Sequence, residues 1–202
     1  MSRYYSYLNS AQEILSHYQG EEPFAIHIKK YFAQYKKFGS RDRKQISHLC
    51  YCYFRLGKAF PTLAMPERIM TGLFLCTEQM DELLSLIKPG WADNVSLPVN
   101  DKMSLVEASS SVAAIFPWSV KVSEGLVMED FARSFLIQPA TFIRLRPGKE
   151  TVVKKKLEDA GLTFNQISSA CIALPAASKL AASVVLNKEA VVQDHSSQRV
   201  GE

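Results

Sequence analysis

The chain has 202 residues, 47% of them hydrophobic, with a formal net charge of +4. That is enough apolar material for one full core or two modest ones in series. No stretch reaches the roughly 18 consecutive apolar residues of a membrane span, and the opening MSRYYSYLNS lacks the apolar centre of a signal peptide, so a cytoplasmic protein with no membrane partner is expected.

Charge is unevenly distributed. Residues 1–60 carry 10 Lys and Arg against 4 Asp and Glu, residues 61–130 carry 4 against 10, and residues 131–202 carry 10 against 6. Two basic zones flanking an acidic middle point to a polyanionic partner, because clustered cations gain affinity by releasing condensed counterions from phosphates.

The first third reads as helices. Pro23 suits a first helical position, and Phe24, Ile28, Tyr31, Tyr35 and Phe38 recur as one apolar stripe that Gly39 ends. Ser40 then suits an N-cap, with Asp42 in the first turn and Ile46, Leu49, Cys50, Tyr53 and Phe54 at helical spacing. Pro61 and Pro66 mark a break and restart before Leu73, Phe74 and Leu75. A shorter helix runs through Leu83, Leu84 and Ile87, and Pro89 with Gly90 closes it. Residues 93–101 read as loop. Ser104 with Glu107 predicts a capping box ahead of Val106 and Val112, and Pro117 ends that helix.

The texture changes near Ser119 to Gly125. An amphipathic helix through Phe131 and Phe135 leads to Pro139 and the alternating run from Thr141 to Arg146, a strand. Pro147 and Gly148 turn the chain into a helix with Val153, Leu157 and Ala160 on one side, stopped by Gly161. Strand-like runs follow at residues 163–167, 170–174 and 190–193. The expected fold class is α+β: a helical bundle over residues 1–122, then a small module with a short, mostly antiparallel sheet over 123–202.

Two basic constellations are candidates for RNA contact. On the Ser40 helix, Arg41, Lys44, His48, Tyr51, Arg55 and Lys58 lie opposite the apolar stripe, cations interleaved with aromatics. In the second module Phe142, Arg144 and Arg146 share one strand face, and Lys149, Lys154, Lys155 and Lys156 follow, which reads as one continuous patch. Three successive lysines on a helix point in different directions, so at most two face one ligand.

The remaining chemistry-bearing residues argue against a catalytic site. Cys50, Cys52, Cys76 and Cys171 sit in apolar surroundings without Cys-x-x-Cys spacing or a histidine cluster, so they read as reduced, structural thiols and not as metal ligands. His17, His27, His48 and His195 have no acid or nucleophile at a recognisable spacing.

The segment SAQEILSHYQGEEPFAIHIKKYF followed by GSRDRKQISHLCYCYFRLG is similar to the NusB-like helical domain that precedes many bacterial RNA (cytosine-5) methyltransferases of the NOP/Sun (Fmu) family. The segment QPATFIRLRPGKETVVKKKLEDAGLTF, with the ending AVVQDHSSQRVGE, resembles the α+β module of the same enzymes. In that family a strand and a motif like Gln193, Asp194, Ser196, Ser197 and Gln198 lead into the S-adenosylmethionine-binding domain. The sequence departs from the family where Arg144-Leu145-Arg146 stands in place of an Arg-x-Asn pattern.

The resemblance implies an RNA-positioning part whose cofactor and catalytic cysteines belong to a downstream methyltransferase domain, with ribosomal or transfer RNA as substrate. The family's cysteines follow Pro or Thr. None here does, and the nine glycines stand singly, without a cofactor loop. No catalytic residue and no cofactor are therefore expected in this chain. The alternative expectation is a stand-alone NusB-like module of antitermination type, which binds RNA and a protein and does not need the Gln193 to Gln198 motif.

Overall fold

A computed structural model describes residues 3–120, 123–176 and 178–201. The fold is α+β, with two compact units, Met1–Ile137 and Gln138–Glu202. They divide fifteen residues beyond the boundary expected from sequence texture. The cause is a helix at Met128–Ser134, whose Phe131 packs edge-on against Phe116 at 5.3 Å within the helical unit.

The helical unit packs around one buried apolar core. Helix α1 (Arg3–His17) buries Tyr7, Leu8, Ala11, Ile14 and Leu15, one stripe at helical spacing. Helix α2 (Phe24–Gln34) is shorter than its sequence stripe. Pro23 is its N-cap and not its first helical residue, and Phe38 is buried from the turn beyond, its ring 5.7 Å from that of Phe32.

Helix α3 (Ser40–Arg55) takes Gly39 as N-cap, so Ser40 is its first helical residue. The Asp42 carboxylate accepts the Gly39 N–H at 2.9 Å. The buried arc of α3 is wider than expected: Ile46, Leu49, Cys50 and Cys52 are enclosed, whereas Phe54 is 39% exposed. The reason is that α3 lies between α1 and α4 (Met65–Cys76). The Cys50 thiol lies 3.9 Å from the Ala11 carbonyl on one side. On the other, a Cβ on Gly72 would lie 2.5 Å from the Cys52 carbonyl oxygen, so only glycine permits this approach of the two backbones.

Helix α5 (Glu82–Ile87) is capped by Asp81, whose carboxylate accepts from Leu83 N at 2.8 Å and Leu84 N at 3.1 Å. Pro89 and Gly90 open a one-turn helix, α6 (Pro89–Ala92), where a stop was expected. Residues 93–98 are loop as expected, but the last three residues of that stretch, 99–101, already belong to α7 (Val99–Ser104). Ser104 ends that helix, its hydroxyl donating to the Asn100 carbonyl at 3.1 Å, so the capping box with Glu107 does not form. A 3-10 turn at Val112–Ile115 and α8 (Met128–Ser134) complete the unit.

The second unit is an antiparallel sheet with one long helix. Strands β1 (Thr141–Leu145), β2 (Asn165–Gln166), β3 (Cys171–Leu174) and β4 (Ala190–Val192) are ordered β2-β3-β1-β4. Helix α9 (Glu150–Asp159) contributes Val153 and Leu157 to a core with Ile143, Leu145, Ile172 and Leu174. Ala160, expected on that buried side, is the exposed C-cap. A last turn, α10 (His195–Gln198), follows β4. Among the described residues no helix is long and apolar enough to cross a membrane.

Candidate nucleic-acid interface

Alternation along β1 decides what the sheet presents. Ile143 and Leu145 point into the core beneath α9, so Phe142 and Arg144 point to the opposite face. Arg144 is exposed and stands across from Cys171 on β3 and Val191 on β4. Arg146 and Lys149, both exposed, bracket the turn into α9, where Lys149 N donates to the Arg146 carbonyl at 3.0 Å.

The terminal motif folds onto this outer face. Gln193 N donates to the Phe142 carbonyl at 3.1 Å, and the His195 ring stacks on Phe142 with centroids 5.7 Å apart at 23°. Gln198 Nε2 donates to the Gln193 carbonyl at 2.8 Å, and Gln193 Nε2 to that of Ser197 at 3.3 Å. Gln193 and Gln198 therefore tie the turn together, while Asp194 and the Ser197 side chain are exposed. Nothing in the spacing announces the Phe142–His195 stack, because only strand register brings these distant residues together.

The lysines of α9 are not part of the Arg144 face. Their helix covers the opposite side of the sheet, where Lys154 Nζ donates to Gln166 Oε1 at 2.7 Å and Lys156 pairs with Glu189 at 2.7 Å. Lys155 is exposed on the same helix. The continuous patch read from the sequence thus divides into Arg144 on the outer face, Arg146 and Lys149 at the rim, and Lys154 with Lys155 on the far side.

The α3 stripe is also partly absorbed by packing. Arg41 lies 3.8 Å from Glu82, and Lys44 and Lys58 are exposed. The Tyr51 ring packs edge-on against Phe24 at 5.5 Å, within a cluster that includes Tyr18 and Phe54. His48 is half-buried with Nε2 3.6 Å from the Cys52 thiol. Burial first, then the Arg55 and Lys44 cations, lower its pKa. Arg55 is half-buried, its charge acting on the Cys52 and Cys76 thiols.

The thiols are mostly poor nucleophiles. Burial pushes Cys50 up to about 12 and raises Cys171. Cys76 is lowered by a hydrogen bond from Cys52 and by the nearby Arg55 and Lys102 cations, whereas Cys52 is raised. No group of three or more His, Cys, Asp or Glu among the described residues could hold a metal ion. Neither family models nor curated proteins nor solved structures yield a match to this chain.

Proposed function

We propose that this chain positions RNA, ribosomal or transfer, for a methyltransferase domain of the NOP/Sun type that supplies S-adenosylmethionine and the reacting cysteines. The observation that carries the reading is the outer sheet face, where exposed Arg144 lies beside the Phe142–His195 ring stack. A guanidinium takes phosphate oxygens in a fork, and flat rings accept unpaired bases. The helical unit followed by an α+β unit, and the Gln193 to Gln198 turn after β4, agree with the family's order of parts. The residues present do not fit the catalytic role: Cys50, Cys52 and Cys171 are buried with raised pKa, and Cys76 follows Leu75 rather than Pro or Thr. No methyl-transfer step is assigned to this chain.

The test is RNA affinity over a series of salt concentrations. The Arg144→Glu and Arg146→Glu double variant should weaken binding to all sequences alike and flatten the salt slope by roughly one unit per lost phosphate contact. Lys154→Glu, on the other side of the sheet, should do less. Equal losses from all variants would reduce the effect to net charge. Loss on Lys44→Glu with the double variant unchanged would favour the stand-alone NusB-like module.

A further inference from the structure

Two nucleophilic side chains meet between α3 and α4, away from the sheet face. The helix backbones touch where a Cβ on Gly72 would lie 2.5 Å from the Cys52 carbonyl oxygen, and Cys76 stands one turn further along α4. There the Cys52 thiol donates a hydrogen bond to the Cys76 sulfur. His48, one turn back along α3, brings Nε2 to 3.6 Å from the Cys52 sulfur, and the Arg55 cation acts on both thiols. The Lys102 ammonium, held at 2.6 Å on the Thr77 carbonyl, adds a further positive charge beside Cys76. A thiol at a helix C-terminus ordinarily meets the negative charge of the last carbonyls, which disfavours its thiolate. Here a buried cation offsets that charge.

We propose that Cys76 and Cys52 are a hydroperoxide-sensitive thiol pair that closes reversibly to a disulfide between α3 and α4. The two differ in access: Cys76 is part-exposed, whereas Cys52 is enclosed and reacts only with its neighbour. An accessible thiol of lowered pKa beside a resolving thiol is the arrangement that redox-sensing cysteines share. The Cys76 thiolate attacks a hydroperoxide oxygen; the S–O bond forms, the O–O bond breaks, and the departing oxygen takes a proton from water to leave as an alcohol or as water. Cys52 then gives its proton to His48, which burial keeps neutral by lowering its pKa, and attacks the Cys76 sulfenic sulfur. The S–S bond forms, the S–O bond breaks, and the leaving hydroxide recovers the proton from His48 as water. Two thiols lose two electrons and one hydroperoxide gains them. Sulfurs already in hydrogen-bond contact are within side-chain reach of the S–S bond length of about 2 Å. An added dithiol reverses the step and is itself oxidised to a disulfide. This inference is independent of the RNA reading.

The full chain is treated with submillimolar hydrogen peroxide, then analysed by intact mass and by peptide mapping without reductant. The mass should fall by two hydrogens, the Cys52 and Cys76 peptides should be linked, and dithiothreitol should restore both. Linkage in the unaltered chain is read first, so a variant that fails to fold leaves that result standing. In Cys52→Ser, dimedone should trap a sulfenic acid at Cys76, and in Cys76→Ser no linkage should form. His48→Gln should slow closure severalfold, so that the Cys76 sulfenic acid accumulates. The proposal is overturned by an unaltered chain that forms no link or links Cys50 or Cys171 instead, by a folded Cys52→Ser protein with no dimedone adduct at Cys76, or by closure at the full rate in His48→Gln.

Discussion

Lys102 and Thr77 form a buried cap. The Lys102 side chain, 2% exposed, donates Nζ to the Thr77 carbonyl at 2.6 Å and reaches the Phe74 carbonyl at 3.4 Å. These carbonyls lie at the end of α4, where the Phe74 carbonyl takes only a long bond from Thr77 N at 3.4 Å and the helix end carries partial negative charge. An ammonium from α7 satisfies them, and the Phe74 ring, 5.6 Å from Nζ, adds a cation–π contact.

Burial lowers the Lys102 pKa from 10.5, while Glu78 and Cys76 act the other way. Well below the folded pKa, Lys102 is charged in both states and its burial opposes folding by a constant amount. Between the folded pKa and 10.5 the unfolded chain binds more protons, so stability should rise with pH in that window. Comparing the wild type with Lys102→Met by urea denaturation, from neutral pH upward, should show a stability difference that is constant below the folded pKa and changes between it and 10.5. Parallel curves over the whole range would refute it.

Gly57 is held by a contact as well as by its conformation. Its φ is +53°, and a Cβ there would lie 1.9 Å from the Ile115 carbonyl oxygen, which already accepts Lys58 N at 3.2 Å. Gly57→Ala should therefore cost about 2–4 kcal/mol, left-handed strain plus displacement of the Ile115 backbone. Gly20→Ala, also at positive φ but with nothing within 4 Å, should cost about 1 kcal/mol. Chemical denaturation of both proteins checks the difference, and equal losses would mean that the contact contributes nothing.

The four thiols should separate by reactivity. Cys76 is half-buried, and its pKa is lowered by the Cys52 hydrogen bond and by Arg55 and Lys102, whereas Cys50 and Cys171 are buried and raised. Iodoacetamide near neutral pH should label Cys76 first and the enclosed Cys50 and Cys52 last, and Arg55→Gln should slow Cys76 severalfold. Peptide mass mapping over time gives the order. Early labelling of Cys50 would contradict it.

Local patterns carried much of the fold. The alternation from Thr141 to Leu145 is a strand, and the stop at Gly161 and the stripe of Ile46, Leu49 and Cys50 follow directly from residue spacing. The outward direction of Phe142 and Arg144 was legible too, because a strand's period depends only on its own backbone. Other decisions lay outside any short window. Ser104 and Glu107 have the letters of a capping box, yet Ser104 ends a helix that begins at Val99. Cys52 is buried because Gly72, on another helix, lets the backbones meet. Arg144 and Lys154 belong to opposite sides of a sheet because α9 covers the Ile143 face, and His195 reaches Phe142 only through the register of β4 on β1. Propensity and periodicity act over a few residues, so the longer elements and most of their apolar sides could be read from the chain, whereas the short helices at Pro89–Ala92 and Val99–Ser104 could not. Which neighbour covers each side depends on contacts distant along the chain, and only the tertiary structure could decide that.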